Sequence, residues 1–469
     1  MTKHRVARAI GATLLTVSLG AGAYLTLDAF DVVPGYFTVA SVVPEPQPFP
    51  TAPAIVLGGT PGFGLTSLDP AAPIPNPAAV GSLVTKLITD PRLGPATSVL
   101  VIDVLTGEVL GGANATTPLT PASTAKLLTA FAALTSMSLE STLPTRVVSP
   151  GPGQIVLVGG GDIMLAAGAG DPTATNGRAG LADLAQLTAA ALADETTVQL
   201  LLDDTYFTGP VAAPLSHPDN IPAGYIAPVQ ALAVNIGKVE EGVAPPRWPD
   251  PALHAAETFA AALAAEGVSV TGQIERTTAP GEATELARVE SAPLVDIVEY
   301  FMHTSDNTVT EAVCRVVAAR TGHEASFDGG TAAVLAAAES HGIDISGARL
   351  SDCSGLADES TLTATTLGQV LTAGLDPARP ELRALVNSLP IAALEGTVAE
   401  RYTESEGAGT VRAKTGSLPG VTSLAGTVLD LDGRQLVFVV IANDTAGGSI
   451  GARAAIDEFV AALAGCGCG

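Results

Sequence analysis

Three short patterns in this chain place a hydroxyl or an amine where a carbonyl could be attacked. The first is Ser123-Thr124-Ala125-Lys126. Residues i and i+3 share one face of a helix, so the Lys126 amine can reach the Ser123 hydroxyl. A neutral lysine there takes the serine proton during attack and activates a nucleophile that is otherwise weak. The second is Ser305-Asp306-Asn307, a hydroxyl and an amide that can both face a cleft, one to relay a proton and one to hold a substrate amide. The third is Lys414-Thr415-Gly416-Ser417, in which lysine and threonine suit a terminal carboxylate and glycine lets a substrate backbone come close. Each also has a bland reading: a solvated surface pair, a cap or turn, a strand end with its turn glycine.

Lysine is scarce. Of 469 residues only Lys3, Lys86, Lys126, Lys238 and Lys414 are lysines, against seventeen arginines. Burial and neighbours can strip a lysine of its proton, which they do not do to arginine, and two of the five lie in these patterns.

The elements that must position them follow from local signals. Thr120-Pro121 ahead of an apolar run over 122–134 predicts a helix with Thr120 as N-cap and Pro121 in the first turn. Ser123 then sits at the positive end of the helix, where an oxyanion would form. Helices are predicted over 252–266, 293–303, 308–321 and 331–341, which sets Ser305 between two of them. Strands are predicted at 98–104 and 108–110 around Leu105-Thr106-Gly107, and at 410–413, 421–430 and 434–442, the last two joined by Asp432-Gly433. With a closing helix over 452–463, this is an α/β core whose sheet draws strands from both ends of the chain. The stretch 141–239 differs in texture, with β-like runs at 145–148, 154–158 and 197–202 between Gly/Asp/Pro loops, and reads as an inserted domain.

Taken together, the order Ser-x-x-Lys, Ser-x-Asn, Lys-Thr-Gly resembles the serine penicillin-recognising enzymes, the penicillin-binding proteins and β-lactamases. About 180 residues separate Ser123 from Ser305, far more than a compact β-lactamase has. That gap, with Gly159-Gly160-Gly161-Asp162 and Asp203-Asp204-Thr205-Tyr206-Phe207, and the later Asp352-Cys353-Ser354-Gly355-Leu356, is similar to the class C low-molecular-mass penicillin-binding proteins. These are D-alanyl-D-alanine carboxypeptidase/endopeptidases, and the Cys-Gly-Cys tail is similar to their actinobacterial members.

The resemblance covers 79–463 and implies a penicillin-binding-protein/β-lactamase-like transpeptidase fold, an antiparallel sheet flanked by helices, with an inserted β-rich domain. The implied division is a signal peptide or signal-anchor in 1–30, a proline-rich spacer in 31–78, a catalytic domain in 79–140 and 240–463, the insert in 141–239, and the tail in 464–469. The resemblance further implies a serine-type D-Ala-D-Ala carboxypeptidase, with or without DD-endopeptidase action. Its partners would be peptidoglycan stem peptides as substrates and β-lactams as covalent inhibitors. Ser123 would be acylated, with Lys126 as its base. Ser305 would pass a proton to the leaving D-Ala amine, and Asn307 would contact the substrate amide and orient Lys126. Lys414 and Thr415 would bind the carboxylate, Gly416 would admit the substrate, and the Ser123 and Ser417 backbone amides would form the oxyanion hole. A subsidiary reading gives Asp162 a contact with the amine of a diaminopimelate side chain, although Ile163-Met164 follow it where the family commonly has Pro-Thr. The alternatives are a β-lactamase, against which the long insert argues, and a catalytically silent wall-binding protein, against which the presence of Ser123, Lys126 and Lys414 argues.

Composition narrows the partners. A formal net charge of -25 speaks against nucleic acid and anionic membrane surfaces. The six scattered histidines show no ligand-like spacing for a metal. The Gly159–Gly161 run lacks the Gly-Lys-Ser/Thr of a phosphate loop, so no cofactor is expected. Lys3, His4, Arg5 and Arg8 precede an uncharged run over 9–27, the pattern of a secretory signal or anchor. Prolines crowd the next stretch to Pro77, as in an extended spacer. Cys314, Cys353, Cys466 and Cys468 fit an oxidising compartment and allow three connectivities. The expected location is extracytoplasmic, membrane-anchored or secreted into the cell wall, with membrane contact only through the N-terminal segment.

Overall fold

The computed structural model describes residues 18–27, 69–445 and 448–467. The chain divides into Met1–Leu65 and Thr66–Gly469. In the first unit, residues 18–27 are helical and exposed. The rest of the leader-like run and nearly all of the proline-rich stretch lie outside the described residues, as does Cys468. No helix among the described residues is long and apolar enough to cross a membrane.

The second unit opens with α1 (Pro77–Ile88) and the hairpin β1 (Ala96–Asp103) and β2 (Val109–Ala113). A 3-10 turn, Ala122–Ala125, leads into α2 (Lys126–Ser136). Then come β3 (Pro144–Gly151), β4 (Gln154–Gly159), α3 (Leu181–Leu192), β5 (Thr197–Asp203), α4 (Pro251–Ala265), β6 (Ser269–Val270), β7 (Glu275–Arg276) and β8 (Thr284–Glu290). Helices α5 (Leu294–Thr304), α6 (Asn307–Arg320), α7 (Phe327–Ser340), α8 (Ala364–Ala373) and the short α9 (Arg383–Asn387) follow. The chain closes with β9 (Val411–Leu418), β10 (Val421–Leu429), β11 (Gln435–Asn443) and α10 (Gly448–Ala464).

The first sheet has the order β2-β1-β11-β10-β9 and is antiparallel throughout. Its strands join both ends of the chain, as the sequence predicts. Side chains alternate across a strand, and the alternation separates two cores. Val99, Val101, Phe438 and Val440 pack against α1 and α10. Leu100, Ile102, Val437, Val439 and Ile441 face the helical core around α2. Because both faces are covered, β1 and β11 read as nearly continuous apolar runs. Helix α2 is buried from Lys126 to Leu134.

A second, mixed sheet has the order β6-β5-β4-β3-β8, with β7 beside β5. Its core, including Leu157, Leu200 and Phe259, is covered by α3 and α4. This layer differs from the expected span of 141–239. Thr145 of β3 pairs with Val289 of β8, so the sheet runs on to Glu290. A helix, α3, also occupies part of the stretch read as β-like; Leu181, Leu184, Ala185 and Thr188 form its buried stripe, a helical period that a short alanine-rich run shows only faintly. The strand predicted at 410–413 runs on to Leu418, because Thr415 and Ser417 take polar positions on an edge strand.

A buried ion pair ties the hairpin turns of the first sheet together. Asp103 accepts from Arg434 Nε and Nη2 at 2.5 and 2.6 Å, and Arg434 Nη1 donates to Ala72 O at 3.0 Å. The two side chains are 0% and 3% exposed. Removing one partner leaves the other charge buried and unpaired, which costs about 3–5 kcal/mol. Asp103→Ala is therefore expected to lower unfolding stability by that order in urea melts; a loss below about 1 kcal/mol would show that the pair contributes no more than a surface one.

Candidate active site

Ser123 lies in the 3-10 turn that precedes α2 rather than in an α-helical first turn. Thr120, expected as the cap, is held instead by the end of β11. Its N–H donates to Asn443 Oδ1 at 2.8 Å and its carbonyl accepts from Asn443 Nδ2 at 3.0 Å. The Pro121 carbonyl accepts from Thr124 Oγ1 at 2.7 Å and from Ser423 Oγ of β10 at 2.6 Å. Ala122 adopts φ 48°, a left-handed conformation uncommon for a residue with a Cβ. The turn is thus set by the neighbouring strands, not by helix-capping chemistry.

Two glycines let other elements press against it. A Cβ on Gly355 would lie 2.0 Å from Ala122 O. A Cβ on Gly416 would lie 2.2 Å from Ser423 Oγ and 2.7 Å from Pro121 O. Gly416 therefore brings β9 itself close to the Ser123 turn, beyond the room for substrate expected of it.

Lys126 is fully buried. Its Nζ lies 3.0 Å from Ser123 Oγ, 2.7 Å from Asn307 Oδ1 and 2.8 Å from Ser354 O. A neutral amine in this position keeps two N–H groups for Asn307 and Ser354 and presents its lone pair to the Ser123 hydroxyl. Burial lowers its pKa to about 8, against the opposing pull of Asp352, Glu311 and Asp306. Asn307 opens α6, and its Nδ2 donates to Tyr225 O at 2.9 Å, which turns the amide oxygen towards Lys126.

Ser305 sits between α5 and α6 in the left-handed conformation, φ 59°. Its Oγ accepts from Lys414 Nζ at 2.9 Å, and the same amine donates to Thr415 O at 3.0 Å. Lys414 is fully buried on β9, and burial, reinforced by Lys126, holds it well below the ordinary lysine range. The Thr415 hydroxyl donates to Thr397 Oγ1 at 3.0 Å. Ser123, Ser305, Asn307 and Ser417 line one cleft of about 720 Å³; Lys126 and Lys414 stand behind them.

Asp162 is not brought to this cleft. It is buried behind β4, where it accepts from the Met164 N–H at 2.8 Å, and burial pushes its carboxyl up to about 7. The acidic groups lining the cleft are Asp219, beside His217, and Asp358. They come from irregular loops and carry no motif in the sequence.

Two further carboxylates shape the site from below. Asp352 accepts from the Ser354 hydroxyl and from the N–H groups of Gly355, Leu356 and Ala357. Glu311 accepts from the N–H groups of Cys353 and Ser354. A disulfide joins Cys314 on α6 to Cys353, and Cys466 is also disulfide-bonded. Glu311, Cys314 and Cys353 are the one cluster among the described residues with the proximity of metal ligands, and their sulfurs are consumed by the disulfide.

The sequence matches the D-Ala-D-Ala carboxypeptidase 3 (S13) family over residues 81–249 and 246–463. It is 37% identical over 437 residues to carboxypeptidase DacB of Mycolicibacterium smegmatis, covering 92% of this chain and 91% of that protein. It is 27% identical over 442 residues to a D-alanyl-D-alanine carboxypeptidase of an Actinomadura species, covering 78% and 81%. The fold is similar to penicillin-binding protein 4 of Haemophilus influenzae, with TM-score 0.69 at 22% identity over 81% of this chain and 98% of the other. The same protein complexed with a β-lactam gives TM-score 0.62 at 21% identity over 83% and 98%. The expected penicillin-binding-protein-like architecture is therefore the one observed.

Displacing the edge strand tests how closely the site depends on it. On the reading that Ser123 is the nucleophile, Gly416→Ala is expected to fold yet to be acylated by penicillin on the order of 100-fold more slowly, the loss that a misplacement near 1 Å produces. An unchanged rate would mean that β9 does not set the position of the turn.

Proposed function

The chain belongs to the D-Ala-D-Ala carboxypeptidase 3 (S13) family, and we propose that it cleaves the terminal D-Ala-D-Ala bond of peptidoglycan stem peptides through an acyl-enzyme on Ser123. It is a serine-type D-Ala-D-Ala carboxypeptidase, as its homologues are, and the peptidoglycan it acts on lies outside the cytoplasm. The observation that carries the site assignment is the buried Lys126 amine 3.0 Å from Ser123 Oγ.

In the first half-reaction Lys126 accepts the hydroxyl proton as Ser123 Oγ attacks the carbonyl carbon of the penultimate D-Ala. The Ser123 and Ser417 N–H groups receive the developing oxyanion. Ser305, with Lys414 behind it, relays to the departing D-Ala amine the proton that Lys126 took, which leaves Ser305 a hydroxyl and Lys126 neutral again for the water that follows. In this reading Lys414 acts through Ser305, to which its amine donates, on the carboxylate side of the cleft, where Thr415 and Gly416 shape the wall. Asn307 fixes Lys126 and borders the substrate amide. Water then attacks the ester and frees the shortened stem. Asp219 and Asp358, in place of Asp162, are suited to a cationic stem side chain. Residues 144–290, with a sheet of their own, are read as the inserted domain, and the run over 9–27 as the leader or anchor.

A β-lactam offers its strained amide to the same serine, and the Haemophilus relative was obtained with one bound. Intact-mass measurement of the folded protein with penicillin, and of D-Ala release from an acylated D-Ala-D-Ala peptide, tests the assignment. One drug-sized adduct on the wild type is expected, with none on Ser123→Ala and no D-Ala release by that variant. Drug consumed without an adduct would instead make the chain a β-lactamase, and intact drug with no adduct would make it a wall-binding protein.

A further inference from the structure

Helix α6 presents Asn307, Glu311 and Cys314 at i, i+4 and i+7, one stripe along its length. All three reach the surroundings of Lys126. Asn307 Oδ1 contacts the amine directly at 2.7 Å. Glu311 Oε1 accepts from the Ser354 N–H at 2.7 Å and from the Cys353 N–H at 3.0 Å, with Oε2 3.2 Å from the latter. Cys314 is bonded to Cys353. The Ser354 carbonyl, 2.8 Å from Lys126 Nζ, belongs to the segment that Glu311 grips. Thr129 of α2 completes the grip by donating to Cys353 O at 2.7 Å.

We propose that Glu311 is a positioning residue for acylation: from behind the site its carboxylate holds the Cys353–Ser354 backbone so that the Ser354 carbonyl stays on Lys126. The proposal rests on the reading of Lys126 as the base for Ser123. Glu311 is 1% exposed and is absent from the cleft lining, so it does not touch substrate. It forms no salt bridge among the described residues. A carboxylate buried on these terms is costly for a fold, where an apolar side chain would pack without penalty; its return is the fixed orientation of two backbone N–H groups.

Its charge also reaches the amine. The ionisable groups acting on Lys126 are Asp352 in the gripped loop, Glu311 on α6 and Asp306 ahead of α6, while Lys414 on β9 lies close enough to interact with it. Burial, then Asp352, pushes the Glu311 carboxyl up to about 8 against the Ser354 contacts and the charge of Arg315 one turn along α6, into the same range in which Lys126 gives up its proton. Through that shared range, where Glu311 becomes an anion, its charge favours protonated Lys126, so removing the charge lets Lys126 lose its proton at lower pH.

Glu311→Gln tests this, since the amide matches the carboxylate in shape and its one oxygen can take the place of Oε1, but it carries no charge and sets an NH2 donor against the Cys353 N–H where Oε2 stood. Acylation by penicillin and turnover of a D-Ala-D-Ala peptide are followed against pH, with melting temperature as the measure of folding. The expected result is a folded variant whose acylation rate and kcat fall on the order of tenfold. Its KM should change by less than about twofold, and the acid limb of its pH profile should move to lower pH. Glu311→Asp, which keeps the charge on a shorter stem, should leave that limb near its wild-type position. A folded Gln variant with wild-type rate and profile would overturn the proposal. So would failure of both variants to fold, which would make Glu311 a residue of the fold alone. Loss of the adduct on the wild type, or its persistence in Ser123→Ala, would instead defeat the active-site reading and is recognised separately.

Discussion

Two lysine amines buried within reach of each other's charge dominate this structure. Water no longer solvates Lys126 or Lys414; burial lowers both, and the charge of Lys126 lowers Lys414 further, so a free amine becomes accessible near neutral pH. Such an arrangement holds only if every remaining polar contact is supplied by the protein. Lys126 receives Asn307, Ser354 and Ser123; Lys414 receives Ser305 and its own neighbour's carbonyl. The three sequence patterns meet at these two amines.

The fold serves that arrangement by bringing distant segments into one place. The period-2 alternation of β1 and β11 divides the molecule into a helical core on one face of the sheet and a smaller core on the other. Helix α2 runs through the first, so its opening residue, Lys126, is carried into the interior by the packing of the helix. Edge strand β9 then lies against the Ser123 turn, with Ser423 opposite Gly416 in the β9–β10 register, and the α5–α6 junction delivers Ser305 and Asn307 from the third side. The disulfide and the Glu311 contacts bind α6 to the loop that closes the fourth.

Much of this was legible in the amino-acid order. Hydrophobic alternation and turn pairs such as Asp432-Gly433 located the strands of the first sheet, and the spacing of Ser123, Lys126, Ser305, Asn307 and Lys414 identified side chains that the fold does bring together. What escaped was long-range. Thr120 is a standard capping residue by type, yet Asn443, more than 300 positions away, takes its backbone groups. Asp162 stands beside a conspicuous glycine run but points into packing, whereas Asp219 lies in a loop with no pattern of its own. β8 completes its sheet with a partner over 130 residues earlier, so a boundary drawn from local texture falls short. Glu311 sits in a helical stripe, and only the folded loop shows what it holds.

The claim on which the account rests is that Lys126 removes the Ser123 proton as a neutral amine. The most direct test is the rate of Ser123 acylation by penicillin in the wild-type protein, followed by rapid mixing from about pH 6 to pH 10. With a base whose pKa is about 8, the rate should climb as pH rises through that value and level off once the amine has lost its proton. A rate that is flat across the range, or that falls as pH rises through 8, would contradict the account.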